Sequence, residues 1–267
     1  MLLAIDIGNS NIVFGVHNGN GWIDKWRIHT DIQKMPDEYG VYFDQLLSQQ
    51  HIKMKDVKCS IISSVVPQLT GRIQHIVEKL STSRPLILGP GVKTGLTIRT
   101  DNPNEVGADL VANAVAAWQK HKSACVIVDF GTALSFTAVS AKGEFLGAAF
   151  MPGIYTAAES LSGQTAQLPR IWLKKTPKTI GTNTSQAMQS GIVNGYIGAI
   201  EHLLSKMKSE LGGEVRSIAT GGSSDILTDL TDVFDTVDPW LTLEGLRAIA
   251  SANRTKNQDT FQDTFKC

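Results

Sequence analysis

The 267-residue sequence has no surplus of either charge, with 25 Lys+Arg against 25 Asp+Glu. A nucleic-acid-binding domain carries a clustered basic excess, so nucleic acid is not an expected partner. Cysteine is scarce: Cys59, Cys125 and Cys267 stand far apart, and no Cys-x-x-Cys occurs. That excludes a zinc knuckle and a dithiol redox motif. Cys59 and Cys125 each open an apolar run and read as buried free thiols, which fits a reducing, cytoplasmic setting. No apolar run approaches the roughly 18 residues of a membrane span, and no membrane partner is expected. The opening Met1-Leu2-Leu3-Ala4-Ile5 lacks a basic flank and is interrupted at Asp6, so it reads as a strand and not as a signal peptide. Two phosphate-binding patterns are missing as well. Gly-x-Gly-x-x-Gly after a strand does not occur, nor does a P-loop with Gly-Lys-Ser/Thr. The six histidines show no ligand spacing, and Ser135 and Ser160 lack the context of a nucleophile elbow.

What is present is an ordinary globular composition, 42% hydrophobic and 19% charged. At roughly 150 residues per domain, the length suggests two domains, placed at 1–118 and 119–255. The polar, aperiodic segment 256–267 reads as a disordered tail. Leu2–Ile5, Ile12–Val16 and Trp22–Ile28 are strand-like runs. The first two flank Asp6-Ile7-Gly8-Asn9-Ser10-Asn11, and Asn18-Gly19-Asn20-Gly21 supplies a hairpin turn before the third. The layout recurs: Cys125–Val128, then Asp129-Phe130-Gly131-Thr132, then Leu134–Val139, a Gly143 turn and Phe145–Phe150. An internal duplication is the simplest reading. Helical spacing is expected over Asp37–Gln49, Leu69–Leu80, Asp109–His121, Thr184–Lys208 (with a break near Gly191 and Gly195) and Leu243–Asn253. Ser60–Val66 and Arg216–Ala219 read as further strands. Strands alternating with helices predict an α/β protein.

A lone Asp-x-Gly is most often a tight turn. Two in the same three-strand frame favour phosphate binding. Gly8 permits close backbone approach, Asn9, Ser10 and Asn11 are short donors, and Asp6 would then carry a cation. Gly131, Thr132 and Asp129 repeat these parts. Gly221-Gly222 after the strand ending at Ala219 allows a flat ring or a ribose to lie against the backbone. No lysine lies in any of the three glycine turns, so phosphate charge must be met by metal and backbone dipoles. Asp109, at the head of a strong helix, is either a first-turn carboxylate of ordinary kind or the general base of a phosphoryl transfer. Glu105 is its local competitor.

These residues together resemble the type III pantothenate kinases, a family of the acetate-kinase, sugar-kinase, chaperone and actin superfamily. The resemblance rests on Asp6 to Asn11, Ser63-Ser64-Val65-Val66-Pro67, Asp101-Asn102-Pro103, Val106-Gly107-Ala108-Asp109, Asp129 to Thr132, Pro152-Gly153-Ile154, Thr165-Ala166-Gln167-Leu168-Pro169, Asn183-Thr184, Ala187 to Gly191 and Thr220-Gly221-Gly222. It implies two duplicated ribonuclease H-like domains with mixed sheets flanked by helices, the actin-like ATPase fold. It further implies that ATP is bound by Asp6, Ile7, Gly8, Asn9, Ser10, Asn11, Ile12, Val13, Gly131, Thr132, Gly221 and Gly222. Asp6 would sit by Mg2+ and Asp129 would hold K+ (or NH4+). Asp109 would be the base toward pantothenate, in a pocket lined by Thr100, Gly107, Ala108, Leu110 and Thr184 at the interface of a homodimer. Two positions depart from the family pattern: Leu110 stands where an arginine is usual, and Thr100 where a tyrosine is usual. Arg99 and Arg170 are candidates for the missing charge. Both departures fall on the acceptor side, which leaves open a kinase for another small hydroxyl compound. A non-catalytic ATP-binding regulatory homologue is the other alternative, disfavoured by the intact Asp6, Asp109, Asp129 and Thr132.

Overall fold

The computed structural model describes residues 1–165, 167–229 and 231–253. The tail expected at 256–267 lies outside the described residues. The chain divides into two compact units. The first comprises Met1–Gly95, Asn102–Ala116 and the chain from Thr242 on, and the second Leu96–Asp101 and Ala117–Leu241.

In the first unit, β1 (Leu2–Ile7) runs antiparallel to β2 (Asn11–His17), which runs antiparallel to β3 (Trp22–His29). The β2–β3 turn closes with Asn18 N–H to Gly21 O at 3.1 Å, and the Asn18 side chain accepts the N–H groups of Asn20 and Gly21. Gly19 takes φ +102° there, a conformation that glycine adopts without a Cβ clash. After α1 (Pro36–Gln49), β4 (Cys59–Ser64) joins the other side of β1 in parallel. α2 (Pro67–Leu80) and the two-residue β5 (Leu86–Ile87) follow, completing the order β3-β2-β1-β4-β5. Alternation decides which face is covered. Leu3, Ile5 and Ile7 join Ile12, Phe14, Val16 and Ile62 under Tyr39, Phe43 and Leu47 of α1 and Leu69, Ile73 and Val77 of α2. Phe14 and Phe43 meet edge to face at 4.8 Å. Burying each such ring contributes about 1.5–3 kcal/mol. Asp6, between Ile5 and Ile7, therefore points to the opposite face.

The second unit repeats the plan. β7 (Ala124–Phe130), β8 (Ala133–Val139) and β9 (Glu144–Pro152) form an antiparallel meander, and β10 (Val215–Thr220) adds to β7 in parallel, followed by β11 (Thr236–Val237). Read from β9 to β11, the order matches that of the first sheet. β6 (Thr97–Ile98) extends it at the β9 edge. The duplication thus covers five strands, two more than the three-strand frame visible in the sequence. Val126, Val128 and Phe130 face a core made with Ile154 and Ala158 of α4 (Ile154–Gly163) and Val193, Ile200 and Leu204 of α5 (Thr184–Leu211). Asp129, like Asp6, lies on the other face.

Several expectations are corrected. α5 is one unbroken helix of 28 residues. Added Cβ atoms at Gly191 and Gly195 would meet nothing within 4 Å, so no close neighbour requires glycine at either position. α4, β5, β6, β11 and α6 (Ser224–Thr228) were not anticipated. Cys125 is a buried free thiol as expected, whereas Cys59 is buried but disulfide-bonded. The last helix, α7 (Leu241–Ala252), is tied to α3 (Ala108–His121) by Thr242 Oγ1 donating to Asn113 Oδ1 at 2.8 Å. No helix among the described residues is long and apolar enough to cross a membrane.

Candidate active site

The Asp6 turn is a short loop held from three sides. Gly8 N–H donates to Asn11 O at 3.0 Å, and a Cβ on Gly8 would stand 3.0 Å from that same oxygen. Thr30, just past β3, donates its hydroxyl to Gly8 O at 2.7 Å and its N–H to Ser10 O at 3.0 Å. Val65 N–H reaches Ile7 O at 3.0 Å from the β4 side. Asn9 is exposed, and Ser10 and Asn11 are half-buried. The loop thus presents small polar residues on a backbone anchored at both ends.

The Asp129 turn in the second unit is more crowded. Gly221, at φ +96°, packs so closely that a Cβ would lie 2.5 Å from Asp129 Oδ1 and 2.6 Å from Phe130 N. Ser223 N–H donates to Phe130 O at 3.3 Å, and Ser224 Oγ to Gly221 O at 3.0 Å. A Cβ on Gly153 would overlap the carbonyl oxygens of Gly131 and Thr132. Gly153 N–H donates to Thr132 O at 2.9 Å, and Thr156 Oγ1 to the same oxygen at 2.8 Å. The fold therefore brings Asp129, Gly131, Thr132, Gly221 and Gly222 into one cluster, and α4 starts against it. Gly153 and Thr30 had no assigned role in the sequence. A Pro-Gly between strand and helix was the only local signal for the first, and nothing local marked the second.

Asp109 lies in the first turn of α3. Burial pushes its carboxyl pKa up, against the opposing N–H of Leu110, which donates to Oδ1 at 2.8 Å. A carboxylate in a helix's first turn is ordinarily favoured by the dipole; here desolvation prevails. A Cβ at Gly107 would fall 2.5 Å from Oδ1, so the glycine leaves the carboxylate its room. Glu105, by contrast, is exposed and accepts Asn102 Nδ2–H at 2.6 Å. Leu110 is 7% exposed and belongs to the packed interior. The Thr100 hydroxyl is buried without a hydrogen bond. Thr184, exposed, opens α5 beside the N-cap Asn183, whose Oδ1 accepts Gln186 N–H at 3.0 Å. Arg99 pairs with Glu144 at 3.2 Å, and both Arg99 and Arg170 are exposed.

Whether the two turns suit cations can be judged from their neighbours. In register with Asp6 across β1 and β4 stands Ser63, and in register with Asp129 across β7 and β10 stands Thr220. Both hydroxyls are buried and have no hydrogen-bond partner. Oxygen donors of this kind suit hard cations. Among the described residues no group of three or more His, Cys, Asp or Glu could cage a metal.

Two mixed sheets that share a five-strand order, each with an Asp-x-Gly turn at the end of its first strand, define an actin-like ATPase fold. Solved structures agree on the fold. A Campylobacter jejuni protein described as a Baf-family transcriptional activator superposes with a TM-score of 0.57 at 20% identity, covering 94% of this chain and 98% of its own. A Sinorhizobium meliloti protein described as a 2-dehydro-3-deoxygalactonokinase gives 0.54 at 12% identity, covering 94% and 97%. The sequence pattern of the type III pantothenate kinases matches residues 2–206. The type III pantothenate kinase of Moorella thermoacetica is 44% identical over 253 residues, 95% of this chain and 100% of that one. That of Myxococcus xanthus is 44% identical over 253 residues, 95% of this chain and 99% of its own. The chain belongs to the type III pantothenate kinase family.

Proposed function

We propose that the protein transfers the γ-phosphoryl group of ATP to the primary hydroxyl of pantothenate, giving ADP and 4′-phosphopantothenate, the opening step of coenzyme A synthesis. The observation that carries the mechanism is the half-buried Asp109 carboxyl in the first turn of α3, oriented by Leu110 N–H and raised in pKa by desolvation. A base poised above the usual aspartate range takes a proton more effectively than an exposed carboxylate such as Glu105. Leu110 N–H fixes one oxygen of Asp109 and so orients the group. The acceptor's hydroxyl proton passes to Asp109 as its oxygen forms the new bond to phosphorus, and the bond to ADP breaks with the electron pair leaving on ADP.

The phosphates would be received by Asp6, Ile7, Gly8, Asn9, Ser10, Asn11, Ile12 and Val13 and by Gly131 and Thr132, with Gly221 and Gly222 toward the nucleoside. Asp6 would hold Mg2+ and Asp129 a K+ or NH4+ ion, which together supply the positive charge that the lysine-free turns lack. Gly107, Ala108, Leu110, Thr100 and Thr184 would line the acceptor pocket. The reading includes a homodimer and a cytoplasmic location, both supported by the family resemblance. The test is ADP release coupled to pantothenate, with and without K+. Turnover that needs both supports the proposal, and no turnover at saturating ATP and pantothenate overturns it.

A second reading keeps the chemistry and changes the acceptor. It is favoured by Leu110, which is packed inside, and by the commitment of Arg99 to Glu144. A panel of small hydroxy compounds separates the two, and higher kcat/KM on another acceptor selects the second.

A further inference from the structure

Two of the four buried side-chain atoms without a hydrogen bond among the described residues are Ser63 Oγ and Thr220 Oγ1. Leaving such a hydroxyl unpaired costs free energy. The other hydroxyls on β4 and β10 themselves, those of Ser60, Ser64 and Ser217, are all partnered. Ser60 Oγ meets Ser83 Oγ at 2.8 Å, Ser64 Oγ receives Thr70 Oγ1 at 2.8 Å, and Ser217 Oγ is bonded to Val233 O, Asp235 and Lys208. The two orphans also occupy equivalent places in the duplicated sheets. Each lies on the strand added in parallel to the first strand of its sheet, in register with the aspartate that ends in a glycine turn: Asp6 with Ser63, Asp129 with Thr220. Each is flanked by a residue, Ile62 or Ala219, that faces the helix-covered core. Alternation therefore turns Ser63 and Thr220 to the same side of the sheet as their aspartates. Strands in register are about 4.8 Å apart, so a change of χ1 rotamer brings each hydroxyl within hydrogen-bond reach of the carboxylate or of water on a cation that it holds.

We propose that Ser63 and Thr220 are duplicated positioning residues, whose buried hydroxyls orient Asp6 and Asp129 when the two turns take up their cations. The proposal rests on the assignment of Asp6 to the magnesium nucleotide and Asp129 to a monovalent cation, and it deepens that reading. The unspent donor of the ligand-free protein is used only on loading. Fold stability and ligand affinity therefore separate. Removing either hydroxyl takes away no hydrogen bond from the ligand-free protein. In the loaded protein it removes one to a charged group, about 10- to 100-fold in binding.

The experiment uses the full chain with Ser63→Ala, Ser63→Thr, Thr220→Val and Thr220→Ser. It measures ligand-free thermal midpoints, Mg2+·ADP binding by calorimetry with and without K+, and the K+ dependence of pantothenate-dependent turnover. Ser63→Ala is expected to weaken Mg2+·ADP binding about 10- to 100-fold at unchanged midpoint, with the K+ activation constant near that of the parent. Thr220→Val is expected to raise the K+ activation constant by a similar factor and to leave ADP binding in the absence of K+ unaltered. Ser63→Thr and Thr220→Ser are expected to restore both. Parent-like binding and K+ activation in Ser63→Ala and Thr220→Val overturn the proposal, and so does a drop in ligand-free midpoint that accounts for the loss. Asp6→Asn and Asp129→Asn, measured alongside, distinguish the failures. If they lose binding or K+ activation while the hydroxyl variants do not, only the positioning role falls. If they too behave as the parent, the cation assignment falls and the proposal with it.

Discussion

Gly221 and Gly19 form a matched pair for testing how the Asp129 turn is built. Both glycines have left-handed φ, +96° and +102°. A Cβ at Gly19 would meet nothing within 4 Å, whereas a Cβ at Gly221 would press on Asp129 Oδ1 at 2.5 Å and on the Phe130 backbone at 2.6 and 2.8 Å. Alanine at either site carries the left-handed penalty of about 1–2 kcal/mol. At Gly221 the overlap with backbone atoms adds about 1–3 kcal/mol, because main chain cannot rotate aside. Gly221→Ala is thus expected to lose about 1–3 kcal/mol more than Gly19→Ala. At roughly 2–4 °C per kcal/mol, that is a further fall of about 2–12 °C in thermal midpoint. The displaced group is Asp129 itself, so the K+ activation constant should also rise in Gly221→Ala and stay unchanged in Gly19→Ala. Differential scanning calorimetry and steady-state ADP release at varied K+ measure both. If the two variants match in midpoint and in K+ activation, the account of Gly221 as a glycine required by contact is refuted.

Asp109→Asn should reduce kcat by about 100- to 10,000-fold, as loss of a general base does. In the parent, kcat/KM should fall with decreasing pH through a pKa above the ordinary 3.8 of aspartate, because burial disfavours the charged form. The same shift sets the sign for stability. A raised folded pKa makes the Asp109 contribution most favourable below the unfolded pKa, and it is lost as pH rises through the folded one. The thermal midpoint of Asp109→Asn at pH 8 should therefore equal or exceed that of the parent; a clear decrease would contradict the burial argument. Thr30→Val removes the donor to Gly8 O and leaves that carbonyl unpaired, at a cost of about 1–3 kcal/mol. It should raise the KM for ATP more than it lowers kcat, and an unchanged KM would argue that the turn is rigid without Thr30. Burial pushes the Cys125 thiol up to about 11, so the native protein should show no labelling of Cys125 by iodoacetamide at pH 8 in peptide mapping, and fast labelling only after unfolding.

Much of the α/β plan was legible because it is written in short-range pattern. Short apolar runs closed by Asn18-Gly19-Asn20-Gly21 and by the Gly143 turn set out both meanders. Apolar spacing placed α1, α2, α3 and α7. The two-residue strands β5, β6 and β11 were invisible, since pairing with a distant edge makes them strands and propensity does not. The same holds for Thr30 on the Gly8 turn and for Gly153 against Thr132: both act across folds of the chain, so no window of sequence contains both partners.

The Asp6 and Asp129 turns themselves needed only local chemistry. A carboxylate, a glycine and short polar residues at the end of an apolar run can form such a loop wherever the run pairs with its neighbour. Tertiary structure decided what stands beside them. Parallel pairing of β4 with β1 and of β10 with β7 joins segments far apart in the chain, and that register alone sets a buried hydroxyl next to each aspartate. A one-residue slip would have turned Ser63 and Thr220 into the apolar core. Likewise the partial burial of Asp109, on which its proposed role as base depends, comes from packing in the folded unit, because desolvation has no signature in the order of residues.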